Sequence, residues 1–377
     1  MNRTFMKGAD ISILKEIESL GGKYYVGEER KDLFEILRIK GLNTVRLRLW
    51  VNPHDEEGQP YLGGTNDLET TIELARRAKD HGLRFMLNIH YSDFWADPKK
   101  QRKPKSWESL TGTELEEEVY RYTIEVLNVC KACDVLPDFV QIGNETTNGM
   151  LWPDGRTPKY DFEARSFEAA EPEEWEGSFD RLAALLQAGV RAARETGPME
   201  VILHLDAGGH HGLYRTWFDE MQARKVDYDI IGLSYYPIWH GSLEELRFNM
   251  EEISARYGKE VLVVETAYGH TADSPSGADI FTAELAKVGG YPPTVEGQAR
   301  FLHDLMTAVR QVPNGRGRGI VYWEPAWLPV EGTSWASLAG MLYGNDVAPM
   351  GNHWSNQGLF DFQGKALDSM NVFLKFD

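Results

Sequence analysis

Glu145 and Glu265 each close a short apolar run, and two carboxylates delivered in this way are the least equipment a glycoside-cleaving site requires. The first stands in DFVQIGNE, where Phe139, Val140 and Ile142 read as a buried strand, Gly143 ends it, and Asn144 and Glu145 follow. The second terminates VLVVE. In a barrel of parallel strands the carboxyl ends form the active-site floor, so acids at those ends are catalytic candidates. A lone Asn-Glu pair is better read as a loop start or a helix cap. The second copy of the pattern shifts the balance towards chemistry.

The elements that would position these acids follow one another regularly. MKGAD (Met6–Asp10) predicts a first strand, Leu33 to Ile39 a helix stopped by Gly41, and Asn43 to Trp50 a second strand that carries Arg46 and Arg48 on one face. A parallel barrel has no edge strand on which to solvate two arginines, so an inward guanidinium that anchors a carboxylate or a sugar hydroxyl is expected. Asp67 caps a predicted helix, and Phe85 to Ile89 forms a third strand with His90, Asp93, Trp95 and Asp97 just beyond it. After the fourth strand, Thr146 to Trp175 reads as a long irregular loop, and a helix is predicted over Phe179 to Thr196. Val201 to Asp206 places His204 and Asp206 on a fifth strand, Ile230 to Pro237 ends a sixth in Tyr235 and Tyr236, and VLVVETAY is the seventh. Helices are predicted near Tyr214 to Arg224, over Leu243 to Tyr257 and over Val295 to Val312, with a long connection from Gly269 to Pro293. GIVYWEPAW is the eighth strand, ending in Trp323 and Glu324. Eight alternations without a low-complexity linker indicate one (β/α)₈ TIM barrel spanning residues 1–377 as a single catalytic domain.

Composition narrows the partners. A formal net charge of -18 over 377 residues argues against nucleic acid or another polyanion and favours a neutral substrate. Eleven Trp and sixteen Tyr, several beside Pro, Asp or His, suit stacking on sugar rings as well as barrel filling. No run of about 18 apolar residues is present, so no membrane partner is expected, and a monomer is expected. The opening MNRTFMKGADIS lacks a signal-like apolar stretch, which reads as cytoplasmic as it stands, or as secreted if a leader has been removed. The two cysteines, Cys130 and Cys133, lie on a helix whose Leu115, Val119, Tyr122, Val126, Val129 and Cys133 recur at helical spacing, so both are expected to be core thiols rather than a metal or redox pair.

Across a barrel mouth, Glu145 and Glu265 can face each other over a bound sugar, at the roughly 5–5.5 Å that a retaining double displacement uses. Asn144 suits the sugar 2-hydroxyl. Arg46, Tyr235 or Tyr236 can hold the nucleophile ionised, His90 or His204 can orient the acid, and Trp323 can floor the ring. The chain resembles the family 53 glycoside hydrolases, endo-β-1,4-galactanases of a clan of retaining barrel enzymes. KGADIS, NTVRLRLWVNP, HYSDFWADP, QIGNE, HLD, SYYP, VVET and YWEPAW all look like family blocks in family order. That resemblance implies Glu145 as acid/base, Glu265 as nucleophile, and Arg46, His90, Asn144, Tyr235 and Trp323 around the sugar next to the cut, with Asp93, Trp95 and Asp97 as neighbours. It also implies β-1,4-galactan or galacto-oligosaccharides of pectin as substrate.

Bacterial members of that family often hold calcium between the loop after the seventh strand and the C-terminal segment. Here the loop reads GHTADSPSGADIF, and Ser355 stands where an acid is expected, so no calcium or other cofactor is expected. Other readings are a mannanase or cellulase of the same clan, or a non-catalytic carbohydrate-binding barrel. A metal-dependent isomerase would need a carboxylate and histidine cluster with a lysine base, which the strand ends do not offer.

Overall fold

The computed structural model describes residues 4–376. Its apolar runs form a closed ring of eight parallel strands: β1 (Met6–Asp10), β2 (Thr44–Leu49), β3 (Arg84–Ile89), β4 (Phe139–Ile142), β5 (Glu200–Leu205), β6 (Ile230–Ser234), β7 (Glu260–Thr266) and β8 (Gly317–Trp323). Neighbours in the ring are neighbours in sequence, and β8 closes onto β1 with Asp10 opposite Trp323. Between them lie α1 (Leu33–Ile39), α2 (Leu68–Asp80), α3 (Gly112–Ala132), α4 (Pro172–Thr196), α5 (His211–Ala223), α6 (Leu243–Tyr257) and α7 (Val295–Arg310), with α8 (Asn371–Lys375) after β8. This is the (β/α)₈ TIM barrel. Among the described residues no helix is long and apolar enough to cross a membrane.

Strand alternation divides the lumen into two layers. Met6, Met86, Phe139, Ile202, Ile230, Leu262, Val264 and Val321 pack together as an apolar plug. Further along the same strands come Asp10, Arg46, Asn88, Gln141, His204 and Ser234, all fully buried. Gly8 and Gly232 leave the space that bulky neighbours fill: a Cβ on either would stand 2.9 Å from Val321 Cγ2 or Ile202 Cγ2 respectively. At the amino-terminal mouth, buried Arg318 is paired with Glu200 at 3.0 Å and Glu260 at 2.6 Å.

One irregularity matters for the site. Pairing of β6 with β7 runs in register to Leu233 opposite Val263 and then jumps, so that Ser234 faces Glu265. A bulge of this kind re-aims a side chain. Val264 packs in the lumen and Glu265 also reaches the cavity at the mouth, although strict alternation would send one of them outward.

Three local expectations need correction. α4 starts at Pro172, seven residues before Phe179, because Pro172 opens the helix at a position whose N–H needs no partner and Glu173 and Glu174 follow in the first turn. The preceding loop is correspondingly shorter, and it is ordered by two small hairpins pairing Gly149–Met150 with Gly155–Arg156 and Tyr160–Asp161 with Ser166–Phe167. A further helix, Ala283–Gly289, occupies the stretch read as a connection, capped by the Thr282 side chain on the Leu285 N–H. In α3 the buried face runs through Leu115, Val119, Thr123, Val126, Leu127 and Cys130, while Val129 is exposed. Only Cys130 is therefore a core thiol, and burial pushes it up to about 12; Cys133 is half-buried.

Candidate active site

Polar ends of the strands converge on a cavity of about 650 Å³ at the carboxyl-terminal mouth. Arg46, His90, Trp95, Asp97, Asn144, Glu145, Asp206, Tyr236, Glu265 and Trp323 all line it. Both glutamates of the sequence pattern thus open onto one space.

Arg46 organises the floor. Its guanidinium is wholly buried, donates to Asp10 at 2.8 Å and to Glu265 Oε1 at 2.8 Å, and also reaches Asn144 Oδ1 and Gln141 Oε1 at 3.1 Å. Burying a guanidinium is tolerable only with such charge partners. Tyr236 adds a longer contact, its hydroxyl donating to Glu265 Oε2 at 3.4 Å. Asn144 Oδ1 accepts from Arg46 and Asn88, and its Nδ2 donates to the Ala96 carbonyl at 2.9 Å. One Nδ2 proton is left for a ligand.

Glu145 has a different setting. Its backbone is left-handed, φ 46°, and non-glycine residues are held there only by their surroundings. Ser234 Oγ donates to its Oε1 at 2.6 Å, and its own N–H points to His204 Nδ1 at 3.3 Å. Among the described residues no Lys or Arg pairs with its carboxyl. Burial, then the nearby Glu265 and Asp206, push Glu145 well above the usual carboxylate range. Burial raises Glu265 as well, but Arg46 opposes it directly, so of the two acids Glu145 keeps the proton. Burial also raises Asp206, to about 7, against the hydroxyl of Thr147 that donates to it. His90 and His204 are held neutral, both chiefly by burial, with Arg48 adding to the effect at His90 and Arg46 at His204.

Aromatic rings wall the cavity. Trp323 packs edge-on against Trp354 at 4.7 Å and lies 6.2 Å from Trp327 and 6.1 Å from Trp95. Beneath Trp95, Arg48 stacks at 4.4 Å while it pairs with Glu324 and donates to the Gly63 carbonyl at 2.7 Å. Such indoles present flat apolar faces between hydrogen-bonding groups, as a sugar ring requires.

Three sequence candidates do not reach this space. Tyr235 is fully buried, its ring against Phe301 and its hydroxyl donating to the Gly241 carbonyl at 3.2 Å, so Tyr236 is the tyrosine that meets Glu265. Asp93 is spent on its own loop, accepting from the Asn52 and Lys105 N–H groups and pairing with Lys105 Nζ at 3.1 Å. His204 lies beneath Glu145, not on the cavity wall. Conversely, Trp239, Trp327, Trp335, Trp354 and Phe162 line the cavity without having been singled out. They sit in loops, where no strand pattern marks them; only their high number hinted at a role.

No group of three or more His, Cys, Asp or Glu side chains converges as a metal site among the described residues. In the loop after β7, Asp279 accepts from Ser274 Oγ at 2.7 Å, from Ser355 Oγ at 2.8 Å and from Ser276 Oγ and the Asn356 N–H at 3.2 Å. Its carboxylate thus links the two segments.

A TIM barrel with two buried carboxyls of opposed surroundings on one aromatic cleft defines a class, the barrel glycoside hydrolases. The model of glycosyl hydrolase family 53 matches residues 6–373, and the chain belongs to that family. It is 42% identical over 98% of its length to an uncharacterized protein of Niallia circulans, covering 93% of it. It is 36% identical to an endo-beta-1,4-galactanase of Bacillus subtilis, covering 99% of this chain and 86% of that one. Among solved structures it is similar to the Ignisphaera aggregans GH53 catalytic domain, with a TM-score of 0.87, 38% identity, and coverage of 98% and 95% of the two chains.

Proposed function

We propose that this glycoside hydrolase cleaves β-1,4-galactosidic bonds within galactan chains by double displacement, with Glu145 as acid/base and Glu265 as nucleophile. The observation that carries the roles is the asymmetry of the pair: Arg46 sits on Glu265 at 2.8 Å, while among the described residues Glu145 accepts from a serine hydroxyl and pairs with no cation. The substrate reading is supported by the galactanase name of the Bacillus subtilis relative.

In the first step Glu265 attacks the anomeric carbon and Glu145 gives its proton to the departing oxygen. In the second, Glu145, now ionised, takes a proton from water as that water displaces Glu265. Asn144 Nδ2 offers a hydrogen bond to the 2-hydroxyl, and Trp323 gives the ring a flat floor. Asp97, Asp206 and His90 are placed to bind hydroxyls, with Trp95 behind them. The reaction needs no metal or cofactor.

Reducing-sugar release from galactan, compared with mannan and carboxymethylcellulose, tests the substrate. Release from galactan alone is expected, and preference for either other polymer would overturn the substrate reading.

A further inference from the structure

Nothing in the catalytic scheme accounts for the fully buried chain of polar groups behind Glu145. We infer that Ser234, oriented by His204, is the positioning residue for the acid/base: it holds Glu145 Oε1 as an acceptor and so fixes the transferable proton on Oε2. The inference rests on the acid role proposed for Glu145.

The direction of each bond follows from the groups available. Gln141 Oε1 accepts from Arg46 at 3.1 Å, and its two Nε2 hydrogens have their nearest acceptors in Asn88 Oδ1 at 2.6 Å and the Gly143 carbonyl at 2.9 Å, with His204 Nδ1 packed at 3.0 Å. The Glu145 backbone N–H faces the same nitrogen at 3.3 Å. A backbone donor on Nδ1 requires a bare lone pair there, and a neutral imidazole then carries its hydrogen on Nε2. That hydrogen meets Ser234 Oγ at 2.8 Å, which leaves the serine hydroxyl to donate to Glu145 Oε1 at 2.6 Å. Gln141, His204 and Ser234 are each fully buried, so no water competes for these bonds.

Arg46 thus acts on Glu265 directly, while the Glu145 carboxyl is set by its own backbone N–H through His204 and Ser234. The serine bond strengthens as Glu145 ionises, because a hydrogen bond to a charged acceptor is the stronger one. It thus assists release of the Oε2 proton to the leaving oxygen, and no proton moves along the chain itself. Other groups around the Glu145 carboxyl are Glu265 on β7, Asp206 after β5 and Asp97 after β3, which raise it, with the neutral hydroxyls of Tyr236 after β6 and Tyr214 on α5 nearby.

The test is Ser234→Ala and Ser234→Cys, the second preserving volume should the first disturb folding. With galactotetraose, whose leaving group needs a proton, kcat/KM should fall by about tenfold to a hundredfold in Ser234→Ala, and the alkaline limb of its pH profile should move to higher pH. With the 2,4-dinitrophenyl glycoside of galactobiose, whose leaving group needs none, kcat/KM should stay within about twofold. Equal losses on both substrates with an unmoved alkaline limb would overturn the inference. Glu145→Gln separates the two readings: if it keeps full activity on galactotetraose the acid assignment itself fails, whereas if it spares only the dinitrophenyl substrate and Ser234→Ala does not, the serine role alone fails.

Discussion

Arg46 Nη2 stands 2.8 Å from Glu265 Oε1 while Arg46 Nη1 stands 2.8 Å from Asp10, so a single buried guanidinium is shared between a structural and a reacting carboxylate. Arg46→Met would leave Glu265 without its charge partner and Asp10 with only the more distant Arg48, at 3.7 Å. Loss of one partner of a buried ion pair costs about 3–5 kcal/mol, and kcat/KM on galactan should drop by about a hundredfold or more because the nucleophile loses its charge partner. Urea unfolding and initial rates check the two effects on one sample.

Asp206 titrates where activity can be measured. Its carboxyl is raised to about 7 in the folded protein, so the native state binds that proton more tightly than the unfolded chain does. Its stabilising contribution is complete below the unfolded value near 4 and is lost as pH rises through about 7. Asp206→Asn should therefore gain thermal stability relative to wild type between pH 5 and pH 8, by roughly 1–4 kcal/mol or a few degrees. The same change removes a negative neighbour of Glu145 and should move the alkaline limb of activity to lower pH. Melting curves and pH-rate profiles across that range check both signs.

The two mouths of the barrel should respond differently. Arg318 pairs with Glu200 and Glu260 at the amino-terminal mouth, away from the cleft. Arg318→Ala is expected to lower stability by about 1–3 kcal/mol and to leave kcat within about twofold. Denaturation and galactan assays distinguish this from the Arg46 case.

Asp279 already joins the loop after β7 to the segment at Ser355 by two hydrogen bonds, from Ser355 Oγ and the Asn356 N–H, and accepts two more from Ser274 and Ser276 within its own loop. Dialysis against a chelator should consequently change neither the melting temperature nor the rate. A drop of several degrees, restored by calcium, would contradict the expectation that this loop holds no metal.

Much of this was legible in the chain because its inner face is written at period two. MKGAD, NTVRLRLW and QIGNE each announce a strand and the polar residue that ends it, and Arg46 could be turned inward on the argument that a closed barrel has no edge. β7 shows where that logic stops: strict alternation cannot direct both Val264 and Glu265 into the barrel, and only the bulge opposite Ser234 does so. Tyr235 and Tyr236 are adjacent in sequence and point to opposite sides, a choice fixed by packing against Phe301 on α7. The tryptophans at 239, 327, 335 and 354 come from loops whose paths depend on tertiary contacts, so no local periodicity marks them. Ser234 was hidden for another reason, since a serine before two tyrosines carries no signal until His204 and Glu145 are seen on either side of it.

The division of labour between the two acids is tested most directly by trapping the covalent intermediate. A 2-deoxy-2-fluoro galactobioside with a 2,4-dinitrophenyl leaving group slows both steps and lets the glycosyl-enzyme accumulate, and peptide mass spectrometry then locates the sugar. The label is expected on Glu265, with one equivalent bound and activity lost in step. A label on Glu145, or complete turnover with neither acid modified, would contradict the assignment.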